Sequence, residues 1–165
     1  MKSKATNLIE KRDKLSAEIT KYWNIINVEN VVNRNYKRNY DLKALFDTIK
    51  SLSEQRVMIK MKSLALNLGF KNFNDLPKDC IQFDIFRLCE LQELKVRLGK
   101  VKTLNPKLKI AKGKKNLNKV EALTSNWIKA RIDELNLEII NVKKRISDFN
   151  ESAELDDTVP MAIAA

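Results

Sequence analysis

The sequence predicts an all-α protein, an elongated bundle of about four helices with coiled-coil (heptad) packing. Three observations predict it. Glycine and proline number only three each in 165 residues, too few for the many turns of a sandwich or barrel. Residues that suit helices fill the chain instead: Leu, Lys, Glu, Ala and Ile. Apolar residues also return at alternating spacings of three and four over long stretches. An apolar content of 44% allows a core, so global disorder is not expected. The length suits one domain. We read 1–150 as that domain, with a lysine-rich connector at 100–119, and 151–165 as a tail.

The first helix is expected from about Thr6, a candidate N-cap, to Ile26. Leu8, Leu15, Ile19, Tyr22 and Ile26 form its stripe, and Ile9 and Trp23 widen it. The pattern dissolves between Asn27 and Asn39, which includes five asparagines and reads as a connector. A second helix is expected from about Asp41 to Leu68, with Asn39 as candidate cap and a seam of Leu42, Leu45, Ile49, Leu52, Ile59 and Leu66. Gly69 follows, as a helix C-terminus often requires. The stretch from Phe70 to Asp79 reads as a loop that Phe70, Phe73 and Leu76 tuck against the bundle.

The third helix is expected from about Ile81 to Thr103, striped by Ile81, Ile85, Leu88, Leu91, Leu94, Leu98 and Val101. Phe83, Phe86 and Val96 widen its apolar arc, so it should be the most buried of the four. Pro106 breaks the chain away from this helix and into the lysine-rich connector. The fourth helix is expected from about Leu117 to Phe149. Its stripe of Ile128, Ile132, Leu135, Ile139, Val142, Ile146 and Phe149 holds 4-3 spacing without a polar interruption. This is either a coiled-coil seam or the core stripe of an extended hairpin. The tail is acidic at Glu151, Glu154, Asp156 and Asp157, then apolar to Ala165. There Met161 and Ile163 could dock on a partner or a second copy.

Charge is the main functional clue. The net charge is +11. Lys100, Lys102, Lys107, Lys109, Lys112, Lys114, Lys115 and Lys119 share one window with no acidic residue, whereas the remaining 24 basic residues nearly balance 21 acidic ones. Such a local excess attracts polyanions and suits contact with a phosphate backbone, without sequence specificity. A solvated loop, or an electrostatic contact with the acidic tail, would need the same residues. A second basic patch holds Arg34, Lys37 and Arg38 with Tyr36 and Tyr40 between and beside them. Basic and aromatic residues so interleaved suit single-stranded nucleic acid. A polar interhelical loop whose tyrosines pack on the bundle explains the same pattern, and we prefer that reading.

Several classes find no support. The chain has no histidine, hence neither the commonest general base nor the commonest metal ligand. Cys80 and Cys89 are too few ligands for a metal site and form no disulfide framework; Cys89, in an apolar context, should be buried. No nucleophile elbow, phosphate-binding glycine loop or HExxH is present, and Glu90, Glu93, Asp133 and Glu134 read as solvent-face charges. We therefore expect no enzyme, no cofactor, no metal and no small-molecule substrate. Apolar runs fall far short of the roughly 20 residues that span a bilayer, and no secretory segment opens the chain. The expected location is cytoplasmic, without membrane attachment. Lysine outnumbers arginine 24 to 8, a bias seen in AT-rich phage and bacterial genomes; a phage protein could instead be virion-associated.

The leading expectation is a non-enzymatic basic protein that binds nucleic acid, or an acidic protein surface, through the lysine window with Arg34, Lys37 and Arg38. One alternative is an assembly protein, such as a phage virion or scaffold component. It would self-associate through Ile128, Ile132, Leu135, Ile139, Val142 and Ile146 and through the tail. Another is a small inhibitor that blocks a nucleoprotein target.

Overall fold

A computed structural model describes residues 4–104 and 118–154. Four long helices dominate: α1 (Ala5–Glu29), α2 (Leu42–Asn67), α3 (Ile81–Gly99) and α4 (Ser125–Ser152). A two-stranded antiparallel ribbon joins them, β1 (Val31–Asn33) with β2 (Lys119–Glu121), in the register Val31 to Glu121 and Asn33 to Lys119. The all-α bundle expected from the sequence is what forms. The ribbon was not expected.

The helices run alternately up and down. Trp23 meets Phe46 edge-on while Ser16 accepts a hydrogen bond from Arg56, so α1 and α2 are antiparallel. Arg56 reaches Glu93 while Lys60 reaches Glu90, which reverses α3 against α2. Gly99 faces Ile132 while Asp84 pairs with Arg145, which reverses α4 against α3. The C-terminal ends of α1 and α3 and the N-terminal ends of α2 and α4 therefore gather at one end of the bundle, with the ribbon. Helices of 25, 26 and 28 residues (α1, α2 and α4) span about 40 Å at ~1.5 Å per residue.

The main core takes one stripe from each helix: Ile19, Trp23 and Ile26; Leu42, Leu45, Phe46, Ile49 and Leu52; Leu91, Leu94 and Leu98; Ile128, Leu135, Ile139 and Val142. Leu123, fully buried, closes it at the ribbon end. At the far end Val57, Met61, Ala65 and Leu76 form a smaller cluster, against which Phe70 and Phe73 pack. The loop is tucked in as its aromatics imply.

Helix boundaries have local causes. Asp41, not Asn39, caps α2: its Oδ1 accepts from the Lys43 and Ala44 N–H groups. Gly69, at φ +81°, ends α2 in a Schellman turn, with Phe70 N–H donating to Ala65 O and Gly69 N–H to Leu66 O. α3 stops at Gly99 because Lys100 and Val101 close tight turns onto Arg97 and Leu98. α4 begins eight residues later than expected, at Ser125, because Lys119–Glu121 is spent on the ribbon and Thr124 Oγ1 caps the helix by accepting from Trp127 N–H.

Two stripes drift from the heptad reading. On α2 the buried set moves from Leu42, Leu45, Ile49 and Leu52 to Val57, Met61 and Ala65, leaving Leu66 exposed. A straight helix with 3.6 residues per turn slips about 20° per heptad. On α3 Phe83 and Val96 are 42% and 54% exposed, so it is not buried all round. Cys89 is exposed as well.

Candidate nucleic-acid interface

The ribbon end is organised by Asn30, the residue directly after α1. Its side chain is fully buried. Nδ2 donates to Lys102 O at 2.8 Å and to Leu123 O at 3.0 Å, and Oδ1 accepts from Leu123 N–H at 2.6 Å. Its own carbonyl accepts from Ala122 N–H and from Arg38. One amide thus ties the exit of α1 to the exit of α3 and to the entry of α4. Glu121 adds a tie by accepting from Leu104 N–H at 2.6 Å. The chain on both sides of residues 105–117 is therefore anchored at one place.

This arrangement brings the two basic stretches together. Arg34 follows β1, and its N–H donates to Asn118 O, one residue before Lys119. Lys119 pairs with Asn33 across the ribbon. Lys100 caps the end of α3, and Lys102 lies on the strap that Asn30 holds. Arg34, Lys37, Lys100, Lys102 and Lys119 are all exposed, and none forms a salt bridge with a described residue. Lys107, Lys109, Lys112, Lys114 and Lys115 lie outside the described residues.

Carboxylates at this end are committed elsewhere. Glu29 is buried, Glu121 serves the backbone of Leu104, and Asp41 caps α2. None of these three acids forms a salt bridge with a described cation, and Arg34, Lys37, Arg38, Lys100, Lys102 and Lys119 outnumber them, so this end carries a net positive charge. A cleft of about 320 Å³ opens between α1 and α3 nearby, lined by Trp23, Asn27, Glu93, Val96, Arg97 and Lys100.

Arg38 departs from the expectation. Its Nε donates to Glu29 O, and its Nη2 donates to Asn30 O and Val120 O, at 2.9–3.0 Å. It clamps the loop to the ribbon and is spent on the fold. Tyr36 and Tyr40 are 46% and 44% exposed, so each packs in part, where our preferred reading of this patch packs both on the bundle.

The body of the bundle is charge-compensated in contrast. Glu90, expected on the solvent face, is 2% exposed. Its carboxylate accepts from Arg56 Nε at 3.0 Å and from Lys60 Nζ at 2.8 Å, and Arg56 Nη2 also binds Glu93 at 2.6 Å. Burial pulls the Arg56 pKa down, but the hydrogen bond and charge of Glu90, helped by Glu93, outweigh it and the net shift is upward. Arg87 bridges Glu54 and Glu138.

The stripe considered for a second chain is used within this one. Ile128, Leu135, Ile139 and Val142 are buried in the main core, with Ile132 and Ile146 packed against it. Their apolar surface is already removed from water, so little remains for a partner. On the other face of α4, Leu137 and Ile140 are 64% and 61% exposed. Met161 and Ile163 lie outside the described residues.

Asn30 is absent from the site residues expected from the sequence, although the sequence carries a signal for it. Ile19, Trp23, Ile26 and Asn30 continue one stripe at spacings of 4, 3 and 4. A polar residue on a buried stripe must find partners inside. Among the described residues no group of three or more Cys, Asp or Glu is arranged to hold a metal ion, and no helix is long and apolar enough to cross a membrane. Comparison of the chain with protein-family models, with curated proteins and with solved structures gave no match.

Proposed function

We propose that the ribbon end of the bundle binds nucleic acid as a polyanion, without chemistry on it. The observation that carries the reading is the convergence of two basic stretches, separated by more than sixty residues of chain, on one anchored surface where described cations outnumber described carboxylates. Arg34, Lys37, Lys100, Lys102 and Lys119 contact phosphates, joined by Lys107, Lys109, Lys112, Lys114 and Lys115 from the window between the anchors. Arg38 acts by holding the loop. Affinity of this kind comes from counterion release, so it falls steeply with salt and discriminates little between sequences.

Fluorescence anisotropy with labelled oligonucleotides at low and moderate salt tests this. Changing Lys107, Lys109, Lys112, Lys114 and Lys115 together to Gln should abolish most binding and flatten the salt slope, while the bundle melts as before. Unchanged binding would remove these lysines from the site. Light scattering on the same samples addresses the assembly reading. The α4 stripe is already occupied, so assembly would have to use the open Leu137 and Ile140 pair instead. A salt-insensitive oligomer without oligonucleotide binding would make assembly the function. An acidic protein target remains the case in which acidic polypeptides, and not oligonucleotides, compete for the lysines.

A further inference from the structure

The 33–41 loop extends that reading, on which this inference rests. Tyr36 and Tyr40 each keep nearly half of their surface open, at 46% and 44%. A half-open aromatic ring is costly to leave facing water, since burying such a side chain is favourable. The loop that carries them is nevertheless held at Tyr36 and at Arg38. The Tyr36 N–H donates to Asn33 O at 2.9 Å, a turn that sets Tyr36 beside the ribbon. Its hydroxyl donates to Glu29 Oε1 at 3.4 Å, and Arg38 fastens the loop from beneath through three backbone carbonyls. Exposed Arg34 and Lys37 flank Tyr36. The loop thus offers half-open tyrosines beside cations that have no described carboxylate partner.

We infer that this end takes single-stranded nucleic acid, with bases stacked on Tyr36 and Tyr40 and phosphates on Arg34 and Lys37. In a duplex the π-faces of the bases are covered by their neighbours, and only the phosphates remain for the cations. A single strand presents both, and aromatic stacking is tolerant of sequence because every base has a π-face. The fixed loop lowers the ordering cost of binding.

The test compares wild type with Tyr36→Ala/Tyr40→Ala in the full chain. The probes are an oligo-dT, a duplex of equal length and an abasic single strand of equal length. Stacking contributes enough per base for the double alanine variant to lose about tenfold or more on oligo-dT. Duplex and abasic binding should hold within about twofold. An equal loss on all three probes, or no loss on oligo-dT, overturns the inference. Wild-type binding to the duplex but not to oligo-dT overturns it while leaving the polyanion site standing. No binding of wild type to any probe overturns the site itself. Both rings are exposed, and a thermal melt of the variant shows whether folding is retained.

Discussion

Replacing Asn30 by alanine should destabilise the bundle by about 3 kcal/mol, and the figure comes from its partners. The side chain satisfies Leu123 N–H, Leu123 O and Lys102 O. Leu123 is fully buried, so its two backbone groups would lose, away from water, the partner they have among the described residues. Each buried unmet group costs about 1–3 kcal/mol, while Lys102 O lies nearer the surface and can recover a water. Taking the lower half of that range for Leu123 gives about 3 kcal/mol. For a chain of this size, that lowers Tm by about 6–12 °C. With a urea m-value of ~2 kcal/mol/M, the midpoint falls by about 1.5 M. Asn30→Asp should cost more than Asn30→Ala, because a carboxylate would face two carbonyl oxygens where Nδ2 now donates. Asn24→Ala, exposed on the same helix, serves as control and should stay within about 0.5 kcal/mol. Urea unfolding followed by circular dichroism measures all three. A loss below about 1 kcal/mol for Asn30→Ala, or an Asp variant as stable as wild type, would refute the role given to this amide.

Other variants probe the rest of the frame. Glu90→Ala leaves Lys60 without a carboxylate and Arg56 with Glu93 alone and should cost about 3 kcal/mol, the low end for breaking a buried pair, whereas Arg56→Met/Glu90→Met should lose less than Glu90→Ala alone in a thermal melt. Asp41→Ala removes the acceptor for two N–H groups of α2 and should cost about 1 kcal/mol by urea unfolding, with Asp41→Asn nearly neutral. Gly69→Ala meets no neighbour within 4 Å, so its cost is that of a left-handed backbone alone, about 1–2 kcal/mol by calorimetry, and Gly69→Asn should be milder.

The legible parts of this fold are those written as a period. Ile128, Leu135, Ile139 and Val142 recur on one helical face and are buried there, and Gly69 ends α2 by needing a backbone that other residues resist. Lys119–Glu121 was read as helix because three-residue strands carry no period, and their partner, Val31–Asn33, lies far away in sequence. Glu90 looked like a surface charge because what decides its burial is Arg56 and Lys60 on another helix. The basic site was half legible. Composition located the lysines, but only the crossing of chain segments at Asn30 joins them to Arg34 and Lys37. Arg38 cannot be told from its neighbours by type, since its role depends on three carbonyl groups brought near by folding.

The anchors around residues 105–117 have a consequence for how such a protein can change. Lys102, Leu104, Asn118 and Leu123 are held by Asn30, Glu121 and the backbone of Arg34, and all of these holders lie outside the lysine-rich window between the anchors. Content and retention are separately encoded. By chain-closure arithmetic, doubling a flexible insert between fixed ends costs only about 0.6 kcal/mol. A flexible replacement spliced between the anchors could therefore vary in length and charge without touching any of these holders. The four helices act as a handle whose fitting accepts interchangeable heads, and a foreign peptide spliced between Leu104 and Asn118 should be displayed at the same end of the molecule.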